Sequence, residues 1–361
     1  MSDAAGDADA RFMRRAIALA RRGWGRTAPN PMVGAVVVRD GAIVGEGYHA
    51  EYGGPHAERV ALAAAGERAR GATLYVTLEP CNHTGKQPPC APAVVESGVR
   101  RVVIAARDPN PDAAGGIATL ERSAIAVDVG IEEAAARELN APFFHRFASD
   151  RPWVVVKLAL SLDGAITDAT RGAGWLTGAA ARREVHRLRA NSDAVAVGLG
   201  TALADDPQLT VRGVRKPRVA PRRVVFDREA RLPLDSRLVR GAADAPVLVV
   251  SDGSAAAREE ALAAAGVHVL RAAGTAEALR ALKAQGVDSL LVEGGAGLVG
   301  ALLQAEVVDR LIIFRAPVLL GAGALGAFSR APSHPLEAAP RLRIVETRRL
   351  GDDEMTTYAL H

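Results

Sequence analysis

Four residues near the start of the chain have types and an order that suit zinc chemistry. His56 and Glu58 stand two positions apart, and Cys81 and Cys90 follow as the only cysteines of the chain. One imidazole and two thiolates would give zinc three protein ligands and leave the fourth tetrahedral position to water, as a catalytic site requires. Glu58 would lie beside that position and accept the proton of the water. These residues predict a metal-assisted hydrolytic site.

The same residues match the H-x-E and P-C-x-x-C pattern of zinc nucleobase deaminases, because Pro80 precedes the first cysteine. The spacing differs from that pattern, since eight residues rather than two separate Cys81 from Cys90. Two alternatives stay open here. The cysteines could be small buried hydrophobic residues, and His83 could be an alternative ligand, although its loop of glycine and proline better suits contact with a substrate.

A second group of residues, beyond position 152, has features of a nucleotide and phosphate site. The apolar run 290–292 leads into Glu293 and a glycine-rich turn, where backbone N–H groups can approach a phosphate. A further glycine turn at 198–201 follows another apolar run. Arg189 and Arg212 are candidates for bidentate contacts with a phosphate. Taken singly, each arginine is better explained as a solvated surface charge, so the prediction depends on the grouping.

Alternating strand-like and helix-like segments must position both groups of residues. In the first half we predict helices and strands in alternation: helices over 12–22, 56–70, 90–97, 116–122 and 132–139, and strands over 33–39, 42–48, 72–78, 101–106 and 125–130. In the second half the strand candidates are 153–160, 194–197, 223–226, 246–250, 267–270, 289–292 and 310–314. Both halves therefore read as α/β sheets with helices on their faces.

Composition sets the domain count and excludes several classes of protein. The chain has 361 residues, 49% of them hydrophobic and 24% charged, which is typical of a soluble protein with about two domains. We place the boundary in the polar segment 148–152, a linker between domains at 1–147 and 153–361. A net charge of +4 and few aromatic residues argue against nucleic-acid binding, and the absence of a long apolar run argues against a membrane span. The acidic, alanine-rich start is unlike a secretory signal, so we expect a cytosolic protein.

The motifs of the first half resemble one enzyme family. They are the stretches 30–35, 45–49, 54–58, 77–90 and 108–111. Together they are similar to the bifunctional deaminase/reductase (RibD) family of riboflavin biosynthesis, in which the wide cysteine spacing is characteristic. The resemblance implies a cytidine-deaminase-like α/β/α sandwich, and it implies that Asn30 and His83 contact the pyrimidine of the substrate.

The second half resembles the reductase part of the same family, whose fold is like that of dihydrofolate reductase. The matching stretches are 157–164, 175–178, 182–183, 201–212 and 292–298. The resemblance implies that NADPH is held by Ala159, Trp175, Thr201, Asp205, Gly295, Ala296, Gly297, Leu298, Val299, Gly300 and Ala301. It implies that the phosphoribosyl substrate is held by Arg189, Leu209, Arg212 and Glu293.

Two positions depart from the family pattern. Ala173 stands at a substrate-binding position where the family often has serine, so one hydrogen bond to the substrate would be missing or made by water. Arg228 follows the strand at 223–226 at another position where serine is frequent. Its guanidinium would either meet the 2′-phosphate of NADPH or face solvent.

The resemblance implies a zinc- and NADPH-dependent enzyme of riboflavin synthesis that acts on a small molecule, binds neither nucleic acid nor membrane, and forms a homodimer. Zinc-dependent deamination of a diaminopyrimidinone ribosylamine 5′-phosphate would precede reduction of its ribosyl group to ribityl. Lys157 and Asp205 are candidates for the proton that accompanies the hydride. Two other functions remain open: a zinc deaminase of tRNA or free nucleosides, and a zinc-stabilised, nucleotide-binding interaction protein without reductase activity.

Overall fold

The computed structural model describes residues 2–172 and 174–360, and it divides into two compact units, Met1–Ala148 and Ser149–His361. Within the described residues, no helix is both long enough and apolar enough to cross a membrane.

One sheet organises the described part of the first unit. Its strands are β1 Gly34–Arg39, β2 Ala42–Tyr48, β3 Thr73–Leu78, β4 Arg101–Ala106 and β5 Ala126–Val129, in the order β2-β1-β3-β4-β5. Strand β1 is antiparallel to both neighbours, whereas β3, β4 and β5 are parallel. The hairpin between β1 and β2 turns at Asp40 and Gly41, which both have positive φ, as a two-residue type I′ turn requires.

Helices cover both faces of this sheet. They are α1 Ser2–Ala20, α2 Ala57–Ala65, α3 Cys90–Glu96, α4 Gly116–Arg122, α5 Glu133–Leu139 and α6 Ala141–Ala148. Helices α2, α3 and α4 pack on the face that carries Val37 and Leu74, and α1 and α5 pack on the face that carries Val36 and Tyr75. Alternate residues of each strand thus fill two separate cores, which confirms the predicted α/β/α sandwich.

A close approach between β2 and α2 fixes where α2 begins. A Cβ atom on Gly47 would lie 2.4 Å from the carbonyl oxygen of Ala57, and one on Gly45 would lie 2.3 Å from that of Ala61. Both glycines let the helix backbone rest directly on the strand, since any side chain would push the two apart. The start of α2, with His56 and Glu58, is placed by this contact.

A larger sheet organises the described part of the second unit. Its nine strands are β6 Trp153–Leu160, β8 Ala194–Gly198, β9 Arg222–Phe226, β10 Val247–Ser251, β11 His268–Arg271, β12 Ser289–Val292, β13 Arg310–Arg315, β15 Arg343–Leu350 and β16 Asp353–Ala359, and a separate pair is formed by β7 Ala165–Thr167 and β14 Leu325–Gly326. The order is β11-β10-β9-β8-β12-β6-β13-β16-β15. Strands β11 to β13 in that order are parallel, and β16 and β15 continue the sheet antiparallel.

Helices again lie on both faces of the sheet. They are α7 Ala179–Ala190, α8 Leu199–Asp205, α9 Arg237–Arg240, α10 Ala256–Ala264, α11 Thr275–Ala284 and α12 Ala296–Gln304. One core joins α11 and α12 to the sheet through Leu279 and Leu302, another joins α9 and α10 through Leu238 and Leu262, and α7 packs on Phe314. The α/β class predicted for this half is therefore also confirmed.

The hairpin of β15 and β16 was not expected from the sequence. Strand β15 lies at the edge of the sheet and is exposed or half-buried along its whole length. Its sequence, RIVETRRL, lacks the alternation of apolar and polar residues that marks a strand with one buried face. Its strand conformation comes from its ladder with β16 rather than from burial of its side chains.

Candidate active sites

The three predicted zinc ligands meet in the first unit. His56 directly precedes α2, Cys81 follows β3, and Cys90 is the first residue of α3. The Nδ1 atom of His56 lies 3.5 Å from Sγ of Cys81 and 3.3 Å from Sγ of Cys90. The candidate ligand atoms all lie within 4.8 Å of one another. The cysteines are thus close to the imidazole rather than dispersed in an apolar core.

Two backbone hydrogen bonds explain how an eight-residue gap brings the cysteines together. The carbonyl oxygen of Cys81 accepts hydrogen bonds from the N–H groups of Cys90 at 3.0 Å and Ala91 at 3.1 Å. The intervening residues therefore form a loop whose two ends are hydrogen-bonded to each other. Within that loop the side chain of Gln87 donates to the carbonyl of Gly53 at 2.8 Å, which ties it to the segment before α2.

Protonation of the cluster reflects its close packing. The hydrogen bond with the Cys90 thiol lowers the pKa of Cys81 to about 4, and the same contact together with burial raises the pKa of Cys90. The contact with Cys81 raises the pKa of His56. Thiolates and imidazole lone pairs that compete for protons in this way form a suitable donor set for a metal ion, which replaces the shared protons.

Glu58 lies in the first turn of α2 and is 3% exposed. Burial raises the pKa of its carboxyl group to about 7. A carboxyl group with a pKa near neutrality can both accept and return a proton during a reaction. The predicted role of Glu58 as proton acceptor requires a carboxyl group of this kind.

A cavity of about 430 Å³ opens in front of these residues, and its lining includes the predicted substrate contacts Asn30 and His83. The Nδ2 atom of Asn30 lies 3.4 Å from Nε2 of His49, whose Nδ1 lies 3.1 Å from the carbonyl oxygen of Pro55. Burial lowers the pKa of His49. A neutral His49 that donates through Nδ1 can accept a hydrogen bond from the Asn30 amide, which leaves the amide oxygen of Asn30 for the cavity.

Sequence reasoning missed two acidic residues beside this cavity. Glu79 is 6% exposed, and its carboxylate accepts hydrogen bonds from the N–H groups of Asp108, Gly115 and Ile117. It therefore holds the loop after β4 against the loop after β3. Burial raises the pKa of Asp108, which lines the cavity, to about 6. A signal was present, since an acidic residue directly after the buried run of β3 needs buried partners.

In the second unit, Arg189 and Glu293 form a buried ion pair. Their side chains are 10% and 11% exposed, and the guanidinium contacts both carboxylate oxygens, with Nε–Oε1 and Nη2–Oε2 distances of 2.5 and 3.0 Å. Arg189 also donates to the carbonyl of Thr210 at 2.8 Å, and Nζ of Lys157 lies 3.9 Å from Glu293. Although burial alone would raise it, the charges of Arg189 and Lys157 lower the pKa of Glu293. Arg189 is thus held in place by its contacts with Glu293 and Thr210 and is not a solvated surface charge.

The predicted cofactor loop follows β12 and leads into α12. The N–H of Gly295 donates to Oγ1 of Thr201 at 3.1 Å, so two of the predicted cofactor residues are in contact. Within the predicted stretch 295–301, Val299 is fully buried in the core. A Cβ atom on Gly300 would lie 2.2 Å from the carbonyl oxygen of Arg330. The open part of this stretch is therefore the loop and the first turn of the helix.

The other predicted residues of this unit lie in varied surroundings. Ala159 is in β6, Trp175 is 75% exposed near the guanidinium of Arg182, and Asp205 ends α8. Leu209 is 2% exposed in a hydrophobic cluster. Arg212 is exposed and donates from Nη1 to Gln208 at 2.6 Å. Ala173 lies outside the described residues.

Both implied groups fit the residues present. One nitrogen and two sulfur atoms within 4.8 Å are the donor set of a zinc site with a free fourth position. In the second unit, the glycine loop held by Thr201 presents backbone N–H groups after a parallel strand, where phosphates of dinucleotides bind. The fold and the two sites define a zinc-dependent deaminase joined to a nucleotide-dependent reductase.

Comparison with known proteins identifies the family. The model for the cytidine and deoxycytidylate deaminase zinc-binding region matches residues 7–106, and the model for the RibD C-terminal domain matches residues 152–356. The chain is 40% identical over 348 residues to riboflavin biosynthesis protein RibD of Aquifex aeolicus (strain VF5), covering 96% of each chain. It is 40% identical over 360 residues to that of Escherichia coli (strain K12), covering 96% of this chain and 97% of the relative.

Solved structures give the same result. The structure is similar to Acinetobacter baumannii RibD, form 1, with a TM-score of 0.85 and 39% identity over 99% of both chains. A deaminase/reductase from Thermotoga maritima has a TM-score of 0.84 and 36% identity, again over 99% of both chains. The chain therefore belongs to the RibD family. It is a bifunctional enzyme of riboflavin biosynthesis, with a zinc-dependent deaminase activity and an NADPH-dependent reductase activity.

Proposed function

We propose that residues 1–147 form the deaminase domain, 148–152 a linker, and 153–361 the reductase domain. We propose that the first domain deaminates 2,5-diamino-6-(5-phosphoribosylamino)pyrimidin-4(3H)-one and that the second reduces the ribosyl group of the product, giving 5-amino-6-(5-phosphoribitylamino)uracil. The similar Thermotoga maritima protein is a diaminohydroxyphosphoribosylaminopyrimidine deaminase/5-amino-6-(5-phosphoribosylamino)uracil reductase, which supports these substrates. The observation that carries the deaminase assignment is the cluster of His56, Cys81 and Cys90, whose ligand atoms all lie within 4.8 Å of one another beside a cavity lined by His56, Cys81 and Glu58.

In the deaminase step, the residues have distinct roles. His56, Cys81 and Cys90 would hold the zinc ion, which supplies Lewis acidity that lowers the pKa of water. Glu58 accepts a proton from the attacking water and delivers it toward the departing amino group. The water oxygen replaces the amino nitrogen on the ring, and ammonia leaves. Asn30 and His83, which line the same cavity, orient the pyrimidine.

In the reductase step, NADPH supplies the hydride that is added to C1′ of the ribosyl group. The loop at 294–297 would hold the cofactor phosphates, and Thr201 positions that loop through Gly295. Arg189 retains two unused N–H donors of its five, which suits a contact with the substrate phosphate in addition to its pair with Glu293. Lys157 is a candidate proton donor, since burial lowers its pKa, and Asp205 is the other candidate.

We further propose that the enzyme is a cytosolic homodimer that needs neither nucleic acid nor a membrane. The small net charge supports independence from nucleic acid. Thiolate ligands favour a reducing compartment. The free edge of β15, with Ile344 59% exposed, offers a surface on which a second copy could pair. Light scattering of the purified protein at several concentrations tests the dimer, and a mass of one chain throughout would contradict it.

The experiment that tests the function measures zinc, ammonia release and NADPH consumption in one preparation. We expect about one zinc per chain. Glu58→Gln should keep the zinc and slow ammonia release about 10²–10⁴-fold, while NADPH consumption from the separately supplied deaminated intermediate continues. Glu67→Gln, an exposed glutamate beyond α2, is the matched control and should change neither rate.

Two results would contradict the proposal. Full ammonia release by Glu58→Gln would remove the role of Glu58. Release of ammonia from cytidine or tRNA, but not from the phosphoribosylamino-pyrimidine, would favour the alternative deaminase function.

A further inference from the structure

Side chains of α7 hold the segment 207–212, which lies beyond α8 and contains no helix or strand. The guanidinium of Arg189 donates to the carbonyl of Thr210 at 2.8 Å. The N–H of Arg212 donates to Nδ1 of His186 at 3.2 Å. His186 and Arg189 are three residues apart, so they lie on the same face of the helix. One face of α7 therefore fixes this segment at two points.

The backbone conformation of this segment needs such support. Leu209, which directly precedes Thr210, has a φ of 52°, in the left-handed region that is unfavourable for a residue with a Cβ atom. A conformation of this kind persists where surrounding contacts hold it. Leu209 is itself buried in a hydrophobic cluster. Its burial and the two contacts with α7 together hold the segment in place.

His186 makes its contact as a neutral imidazole. A backbone N–H can only donate, so Nδ1 of His186 carries no proton when it accepts from Arg212. Burial lowers the pKa of His186, and the charges of Arg189 and Arg212 lower it further. The carboxylate of Glu293 and the carbonyl of Thr210 oppose this shift to a smaller degree. Near neutral pH the ring is therefore uncharged, and the lone pair of its Nδ1 atom is available to the N–H of Arg212.

The side chain of Arg212 is exposed, and its Nη1 atom donates to Oε1 of Gln208 at 2.6 Å. A long exposed side chain loses conformational freedom when it binds a ligand, and this loss weakens binding. A fixed backbone limits the positions that the guanidinium can reach before the substrate arrives. Without the hydrogen bond to His186, the backbone at Arg212 would be free to move, and substrate binding would have to order it.

We propose that His186 is a positioning residue of the reductase site, which holds Arg212 so that its guanidinium meets the substrate phosphate. His186 acts through the backbone of Arg212 and not by contact with the substrate. Because Arg189 lies on the same face of α7, this helix carries one of the two phosphate-binding arginines and fixes the other. The inference rests on the proposed function of the second domain, in which Arg189 and Arg212 contact the phosphoribosyl substrate.

The test is steady-state kinetics of NADPH oxidation by the full-length protein, with 5-amino-6-(5-phosphoribosylamino)uracil as the substrate. His186→Leu, which removes the acceptor, should raise KM for this substrate about threefold to tenfold, the range for one hydrogen bond. It should leave kcat and the affinity for NADPH unchanged. His186→Asn should restore a KM close to that of the unaltered protein, because its Oδ1 atom can replace Nδ1 as the acceptor. His268→Leu, at an exposed position on β11, is the matched control and should change neither KM nor kcat.

Two comparisons show whether His186 acts through Arg212. Arg212→Ala removes the guanidinium but keeps the backbone N–H, so adding His186→Leu to it should have no further effect on KM. His186→Leu alone should also leave KM unchanged for the same substrate without its phosphate, because Arg212 then has no phosphate to meet.

The outcomes separate this inference from the reductase assignment. An unchanged KM in His186→Leu, or a fall in kcat as large as the rise in KM, would overturn the role of His186 while the reductase stands. An effect of His186→Leu that persists in the Arg212→Ala background, or no recovery in His186→Asn, would also overturn it. An unchanged KM in Arg212→Ala would refute the substrate contact of Arg212 and with it the inference. Failure of the unaltered protein to oxidise NADPH with this substrate would refute the reductase assignment and the inference together.

Discussion

Replacing Arg189 by alanine should destabilise the second unit strongly, because of what the substitution leaves behind. Glu293 is 11% exposed and would keep its position after β12. The next cation, Nζ of Lys157, lies 3.9 Å from the carboxylate. The carbonyl of Thr210 would also lose its donor. A carboxylate that was held by two hydrogen bonds would thus remain in a largely dry site with one distant counter-charge.

The size of the effect follows from the same contacts. Removing one partner of a buried ion pair costs about 3–5 kcal/mol, most of it from the uncompensated charge. Because Lys157 remains, we expect a value near the lower limit, about 3 kcal/mol. Adding Glu293→Gln to Arg189→Ala should recover part of that loss, since a neutral amide is less costly to bury than a carboxylate. Arg183→Ala, at an exposed position on the same helix, should change stability by less than about 0.5 kcal/mol.

Urea unfolding of the full-length chain measures these differences. Trp24 lies in the first unit, whereas Trp153 and Trp175 lie in the second, so a Trp24→Phe background restricts tryptophan fluorescence to the second unit. A loss below about 1 kcal/mol for Arg189→Ala would mean that the site is wetter than its burial indicates. A double variant less stable than Arg189→Ala would show that the carboxylate is not the source of the cost.

Two further predictions concern the cavity and the cofactor loop. Burial raises the pKa of Asp108 to about 6 from 3.8, so the stability contributed by its protonated form is complete below pH 3.8 and is lost as the pH rises through about 6. Asp108→Asn should therefore be more stable than the unaltered protein at pH 8, by at most about 3 kcal/mol. This difference in stability, followed by Trp24 fluorescence, should shrink toward pH 4. A difference that stays constant with pH would contradict the raised pKa of Asp108. Thr201→Val removes the acceptor of the Gly295 N–H, so the dissociation constant for NADPH, measured by titration calorimetry, should rise about fivefold. An unchanged dissociation constant would show that the cofactor loop holds its shape without this contact.

The zinc cluster was predictable from the sequence, but the way it closes was not. The order of His56, Glu58, Cys81 and Cys90 indicates the metal and the proton-transfer residue. The two backbone hydrogen bonds to the carbonyl of Cys81 depend on the path of the loop at 82–89, which has no periodic pattern. Glu79 was missed for a related reason, since its backbone partners, such as the N–H of Gly115, lie far along the chain.

Among the strands and helices too, some bounds could be predicted from the sequence and others could not. Buried strands such as β6 and β12 have the predicted bounds, because continuous or alternating apolar runs mark them. Helix α1 begins at Ser2, ten residues before the predicted start at Phe12. Its first half, rich in alanine and aspartate, has no apolar stripe, and its helical state is favoured by alanine propensity and by acidic residues near the N-terminus. Such a segment carries no hydrophobic periodicity from which a helix could be predicted.

The ion pair of Arg189 and Glu293 has a structural role in addition to the predicted contact with the substrate. Both residues were assigned to the substrate, yet two of the five N–H donors of Arg189 and both carboxylate oxygens of Glu293 are engaged in their mutual pair. Two N–H donors of Arg189 remain, so its guanidinium can brace the end of β12 and still contact a phosphate. The orientation of those two donors is set by the carboxylate of Glu293. Substrate affinity in the reductase step should therefore depend on Glu293 through the geometry of Arg189, and not only through any contact that Glu293 itself makes.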